Sequence, residues 1–327
     1  MRFGIISTAD IGLNSLLPAV QQSEHTAVAL ASRDASRAER VAREHGIPRA
    51  YGSYEELLAD DDVDAVYNPL PNALHAEWTK RAADHGKDVL CEKPLTRDAA
   101  EAAELFDYVR ERDVTLMEAF MYRFHPRTER AVEIVERELG DVRSVDAAFS
   151  FRLDDDEDIR LDPTLAGGSV MDVGCYAVNA ARLFLGEPER VSARTVDDRD
   201  AGVDTSMAAV FEYEDATARV ASGFDRAQSQ YYRVETADGW LQADPAFGTD
   251  PDESVTLEWH VEGRTVVEEF EPVDHYQLQV EAFADAVEEG REPRITREET
   301  LGNMRAIDAI YESAASGAVV DVAGGRE

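Results

Sequence analysis

The sequence predicts an α/β fold in two parts. Residues 1–121 read as a doubly wound parallel sheet, and residues 122–327 as an α/β domain with a mostly antiparallel sheet. Three observations predict this. A chain of 327 residues is long enough for two domains with substantial cores. Up to Phe120, short apolar strands alternate with helical stretches, which argues for a parallel sheet covered on both faces. After Phe120, strand patterns follow one another closely, as they do in antiparallel sheets.

The elements follow in order. Arg2–Ser7 and Ala27–Ser32 read as strands, with a helical segment between them that must accommodate Pro18. Ser36–His45 is helix-like, after Asp34 as a cap. Ala65–Asn68, Asp88–Cys91 and Thr115–Ala119 continue the strands; Ala73–His85 and Arg97–Arg112 are the intervening helices, the second with Thr96 as its cap. A helix near Arg127–Glu138 leads to strand patterns at Val142–Phe151, Val191–Thr195, Met207–Tyr213, Thr217–Ser222, Tyr231–Thr236, Val255–His260 and Thr265–Phe270. Helices at Gln277–Glu289 and Arg297–Ser316 close the chain.

Composition excludes several function classes. There are 68 acidic and 33 basic residues, a net charge of −35, so the field repels nucleic acid and anionic lipid. No run of 18 apolar residues marks a membrane span, and the N-terminus carries no secretion signal. Cys91 and Cys175 make no disulfide framework, which favours a reducing cytoplasm. Only Lys80, Lys87 and Lys93 are lysines. An acidic, lysine-poor surface suits concentrated salt, which screens the self-repulsion. The run Asp154–Asp158 (DDDED) has no histidine or cysteine beside it and reads as a solvated loop, so no metal site is expected.

"FGIISTADIG" (Phe3–Gly12) has the rhythm of a dinucleotide-binding turn, but Ser7 and Ala9 stand where two glycines belong. Both are small, and the hydroxyls of Ser7 and Thr8 can donate to phosphate. Asp10 and Ile11 then open the helix whose free amides would face a pyrophosphate. Alone, the stretch reads more readily as an ordinary strand-to-helix turn. The second strand strengthens the cofactor reading. Where an NAD site would place Asp or Glu, the chain has Ser32 and Arg33, followed by Arg37. A hydroxyl and guanidinium groups suit the 2′-phosphate of NADP, while a carboxylate would repel it.

Two later stretches carry a family resemblance. "AVYNPLPNALHAEWTKRAADHGKDVLCEKPL" (Ala65–Leu95) and "GGSVMDVGCY" (Gly167–Tyr176) resemble the glucose-fructose oxidoreductase/inositol dehydrogenase (Gfo/Idh/MocA) family, and "MEAFMYRFHP" (Met117–Pro126) and "IDAIYESAASG" (Ile307–Gly317) fit it too. The resemblance implies a Rossmann domain followed by an α/β domain with a large open sheet, often used for homo-oligomer contacts as a dimer or tetramer. It also implies that Ser7-Thr8-Ala9 is a working variant of the turn, and that Pro69, Leu70, Asn72, His75 and Glu92 lie along the cofactor.

The same resemblance assigns chemistry. Lys93 follows a strand at the carboxyl edge where doubly wound sheets bind ligands, and its charge favours the deprotonated form of a substrate hydroxyl. The family implies a cis Lys93–Pro94 bond. Asp172, Tyr176 and Asn179 are spaced i, i+4, i+7 and share a face if Val170–Phe184 is helical. In the family the first two hold an Asp and a His or Tyr that act as the acid/base pair. A tyrosine needs a cation such as Lys93 to act near neutrality. Arg123, with Arg152 and Arg160 around the acidic loop, could reach substrate oxygens; His75 fits a structural role as well as a site role.

The expectation is an NADP-dependent oxidoreductase acting on a small sugar or polyol. Dihydrodiol dehydrogenase, anhydrofructose reductase and aldose–aldose oxidoreductase activities are the alternatives within the family. A cofactor-binding sensor is the alternative outside catalysis, disfavoured because Lys93, Asp172 and Tyr176 are all present.

Overall fold

The fold is given by a computed structural model that describes residues 1–322. It forms two compact units. The first comprises Met1–Met121 and Tyr276–Leu301. Its strands are β1 (Arg2–Ile6), β2 (Thr26–Ala31), β3 (Arg49–Tyr51), β4 (Ala65–Asn68), β5 (Asp88–Cys91) and β6 (Leu116–Glu118). They lie in the order β3-β2-β1-β4-β5-β6, and all pairs are parallel. Strand order reverses between β1 and β4, the switch point beyond whose carboxyl ends such sheets bind ligands.

The helices of this unit begin with α1 (Leu17–Gln22) and α2 (Ala35–His45). A π-type turn, Gly12–Leu16, runs into α1 without a break, and Pro18, which has no N–H to give to the helical ladder, lies just past it. Asp34 caps α2 by accepting from the Arg37 amide at 3.1 Å, and Gly46, at φ 70°, ends it in the left-handed conformation. Next come α3 (Tyr54–Leu58), α4 (His75–Asp84) and α5 (Ala99–Arg110). Here one expectation is corrected. The cap of α5 is Asp98, which accepts from the Glu101 amide at 2.8 Å, whereas Thr96 donates its hydroxyl to the Asp98 carbonyl. A carboxylate at the N-cap satisfies an orphan amide and faces the positive end of the helix dipole.

The second unit comprises residues 122–275 and the chain from Gly302 onward; residues 323–327 lie outside the described residues. It contains α6 (Pro126–Ile134) and α7 (Cys175–Leu185). Its strands are β7 (Val142–Arg152), β8 (Arg190–Val196), β9 (Ser206–Glu212), β10 (Thr217–Gly223), β11 (Asp225–Thr236), β12 (Gly239–Ala243), β13 (Val255–Val261), β14 (Arg264–Phe270) and β15 (Val320–Asp321). The nine-stranded sheet runs β14-β13-β12-β11-β7-β10-β9-β8-β15. Only β7 and β10 pair in parallel. α7 packs on β7 and β10, and every residue from Cys175 to Arg182 is buried. A helix buried on all sides belongs to a core, not to a surface.

The boundary after Met121 matches the change of character in the sequence, but residues 276–301 group with the first unit, where the sequence reading kept them in the second. Packing gives the reason. From α8 (His275–Glu289), Phe283 sits 6.2 Å from Phe3 of β1, and Glu288 lies 3.9 Å from the N-terminal amine. The last helix, α9 (Arg297–Ser316), begins in the first unit and from Gly302 belongs to the second. Among the described residues, no helix is long and apolar enough to cross a membrane.

Candidate active site

On the first unit, the turn after β1 is held by its own side chains. Ser7 Oγ accepts from the Ala9 amide at 3.0 Å, Thr8 is buried, and a helical turn starts at Asp10 and Ile11. Gly12 packs against Ile5, Tyr67 and Pro69, where a Cβ would meet ordinary van der Waals contacts. At the end of β2, Ser32 Oγ accepts from the Asp34 amide at 3.2 Å, and Arg33 is exposed. Asp34, the nearest carboxylate in sequence, is committed to capping α2. Arg37 reaches back and donates to the Thr8 carbonyl at 3.2 Å. A hydroxyl and two guanidinium groups therefore flank the strand end, a donor set that fits a 2′-phosphate.

The loops after β4 and β5 are tied together. Asn68 Oδ1 accepts from the Leu70 amide, and the Asn68 carbonyl accepts from the Glu92 amide at 3.0 Å. Tyr67 donates its hydroxyl to Glu92 Oε1 at 2.6 Å, and burial pushes the Tyr67 phenol well above its usual pKa. His75 is wholly buried, with Nδ1 2.9 Å from the Pro94 carbonyl and Nε2 2.6 Å from the Leu70 carbonyl. Burial lowers its pKa to about 4 and outweighs the two carbonyls, which favour the protonated ring. The wholly buried ring thus braces the two loops from within, the structural role that the sequence also allowed it. Pro69, Leu70 and Asn72 stand in the loop it braces, and Leu70 is itself buried. Lys93 follows β5 on a cis peptide to Pro94.

On the second unit, the stretch Val170–Gly174 is a π-type turn that continues into α7. The expected uniform helix over Val170–Phe184 is therefore two kinds of helix, and such π segments recur at functional sites. Gly167 and Gly168 precede it for definite reasons. A Cβ on Gly167 would run into the Arg160 carbonyl oxygen, and Gly168 sits at φ 116° with its amide bonded to that same oxygen at 2.8 Å. Asp204 holds the start of the turn: its carboxylate accepts from Ser169 Oγ at 2.7 Å, the Val170 amide at 2.8 Å and Tyr311 at 2.9 Å.

The three residues spaced i, i+4, i+7 have different surroundings. Asp172, half-buried, accepts from Arg160 Nε at 2.9 Å. Tyr176 lies in an aromatic cluster with Tyr122, Phe149 and Phe247, ring centroids 6.0, 5.6 and 5.5 Å away. Asn179 is buried, and its Oδ1 accepts from Tyr122 at 2.5 Å and from Arg123 at 3.2 Å. Asn179 and Arg123 therefore engage each other, and Asn179 holds Tyr122 beside Tyr176. Phe247 is fixed in turn by Gln230, whose Oε1 accepts from its amide at 3.1 Å.

Residues 1–120 match the family described as oxidoreductase family, NAD-binding Rossmann fold, and residues 129–242 match the GFO/IDH/MocA C-terminal domain. The chain belongs to the Gfo/Idh/MocA oxidoreductase family. Within this family it is 63% identical over 324 residues to a D-xylose 1-dehydrogenase (NADP(+)) of Haloferax volcanii, covering 98% of this chain and 100% of that one. The structure of a 3-ketoreductase from Actinomadura kijaniata in complex with NADP and TDP-benzene superposes with a TM-score of 0.90 at 34% identity, covering 96% and 97% of the two chains. An aldose–aldose oxidoreductase from Caulobacter crescentus complexed with glycerol gives a TM-score of 0.91 at 30% identity, covering 98% and 99%. The Gfo/Idh/MocA motifs were legible in the sequence. The supports found only in the structure are Asp204, Gln230 and Phe247, which come from distant segments and carry no local motif; Tyr311 stands in the fitting stretch Ile307–Gly317, but its bond to Asp204 is seen only in the fold.

Proposed function

We propose that this chain is an NADP-dependent D-xylose 1-dehydrogenase that converts the sugar to xylonolactone. The observation that carries the reading is the 63% identity over the full length of the Haloferax volcanii dehydrogenase. The strand end at Ser32 and Arg33, with Asp34 engaged as a helix cap, supports NADP over NAD.

Bound NADP supplies the hydride acceptor. The chain's own residues handle the proton and the geometry. Tyr176 takes the proton of the C1 hydroxyl as the C1–H bond gives up its hydride, leaving the lactone carbonyl. Its aromatic cluster excludes water around the phenol and holds the ring. Lys93, at the carboxyl edge of the parallel sheet, donates to a substrate hydroxyl, and its charge favours that hydroxyl's deprotonated form. Asp172 accepts from substrate hydroxyls and sets their orientation. Ser7, Thr8, Ala9, Asp10 and Ile11 cradle the pyrophosphate, and Ser32, Arg33 and Arg37 hold the 2′-phosphate.

The assembly proposed is a homo-oligomer, dimer or tetramer, joined through the open face of the nine-stranded sheet. That face carries Ser192, Ala208, Ala221 and Tyr231, with Val210 40% exposed. Two free, buried cysteines fit a cytoplasmic enzyme. The deciding experiment is a panel of pentoses, hexoses and diols with NADP and NAD in molar salt, followed at the nicotinamide absorbance. Turnover of trans-diols without turnover of D-xylose would move the assignment to another activity of the family.

A further inference from the structure

The acidic run Asp154–Asp158, a solvated loop by its composition, ends in an ordered arrangement around Arg160. Arg160 Nη1 donates to both carboxylate oxygens of Asp158, at 3.2 and 3.1 Å, while Nε donates to Asp172 Oδ2 at 2.9 Å. Asp172, first among the causes, raises the guanidinium's pKa, so the group is a cation at any working pH. The backbone of the same residue is clamped as well. Its amide donates to Asp158 at 2.8 Å, and its carbonyl accepts from Gly168 immediately before the π-type turn that carries Asp172. The absence of a side chain at Gly167 makes this approach possible.

Nη2 is different. Among the described residues it makes no hydrogen bond, although it shares an edge of the guanidinium plane with Nε, which is bound to Asp172. The Arg160 and Asp172 side chains keep 42% and 18% of their surface exposed. A hydroxyl group is at once a donor and an acceptor. Seated at this edge, it accepts from Nη2 and donates to the Asp172 carboxylate, which offers about four acceptor sites.

We infer that Arg160 and Asp172 form a clamp for one non-reacting hydroxyl of the sugar, with Arg160 the residue that selects for it. The inference rests on the dehydrogenase reading above only for the identity of the sugar. Nε holds the carboxylate in place, Asp158 holds the guanidinium in place, and Nη2 remains for the ligand. A lysine has a single charged nitrogen and cannot serve both Asp172 and a hydroxyl in this fork geometry.

The test uses the full-length chain with NADPH present, so that sugars bind without turnover. Calorimetry gives the affinities of D-xylose and of three analogues lacking the hydroxyl at C2, C3 or C4. The series is repeated with Arg160→Gln and with Arg160→Lys, which keeps the charge beside Asp172 should the glutamine variant fold poorly. On the unaltered protein, one analogue binds about 10–100-fold more weakly, as for loss of a hydrogen bond to a charged group. On either variant D-xylose loses a similar factor, and that same analogue loses nothing further, while NADPH affinity is unchanged. Losses that add for all three analogues, or unchanged D-xylose affinity in both variants, overturn the clamp. D-xylose bound through the clamp but not oxidised with NADP would overturn the dehydrogenase reading alone; failure of the unaltered protein to bind any of the four sugars would overturn both.

Discussion

A guanidinium nitrogen of Arg37 donates to the backbone carbonyl of Thr8 over 3.2 Å, joining the helix after β2 to the turn after β1. The contact places the cation between the two segments that a dinucleotide spans and leaves Asp34 to its capping bond. Replacing Ser32→Asp and Arg33→Ala together should therefore reverse the cofactor preference, measured as the ratio of kcat/KM for NADP to that for NAD. Arg37→Ala should weaken both cofactors, because it also loosens the Thr8 turn. An unaltered enzyme that favours NAD would refute this account of the strand end.

For the catalytic residues, Tyr176→Phe and Lys93→Met should each lower kcat by factors on the order of 10²–10⁴. Tyr176→Phe should leave NADP affinity nearly unchanged, because the phenol faces the substrate in this scheme. If both serve the same proton transfer, the double variant should lose far less than the product of the single losses. Asp172→Asn should raise KM as well as lower kcat. Near-normal turnover by Tyr176→Phe, under conditions where chemistry limits the rate, would move the proton elsewhere in the site.

Much of this was legible in the sequence. Ala65–Asn68 and Asp88–Cys91 are observed at the expected residues, because buried parallel strands are short apolar runs with sharp polar ends. β3 and α3 were not foreseen: three and five residues are too few to show a period. The π-type turn at Val170–Gly174 leaves no mark in composition, so the spacing of Asp172 and Tyr176 was read on a uniform helix. Asp204 escaped notice for another reason. Its partners are Ser169, Val170 and Tyr311, the last 107 positions away, and such a constellation exists only after folding.

The excess of acid also makes a prediction. With 68 acidic against 33 basic residues, many carboxylates have no cation to pair with. Exposed pairs such as Arg152–Asp154 contribute little in any case. Salt at molar concentration shrinks the screening length to about 3 Å and removes most of the repulsion. The melting temperature should therefore rise steeply between low and molar potassium chloride, and activity with it. A melting temperature that does not change would mean that the acidic surface is not tuned to salt.

Two buried histidines should contribute to the response to acid. His125 is buried at the N-terminus of α6, where its Nδ1 accepts from the Arg127 amide at 3.0 Å. His275 lies beside it, ring centroids 6.1 Å apart. Burial, helped by the Arg127 cation, lowers the His125 pKa from 6.5 to about 4, and burial with both neighbours lowers that of His275 to about 3. Protonation would also remove the lone pair that caps the helix. The unfolded chain takes up protons on these rings below pH 6.5 while the folded chain does not, so stability is intact above that value and falls as pH drops toward 4. At pH 5 the loss from His125 alone is about 2 kcal/mol. Asparagine at this position keeps a capping oxygen and cannot titrate. His125→Asn should therefore unfold in urea at nearly the same midpoint as the unaltered protein at pH 7.5. At pH 5 it should be the more resistant of the two, both measured in molar salt to suppress the carboxylate field. Equal losses in the two proteins between these pH values would show that the acid response arises elsewhere.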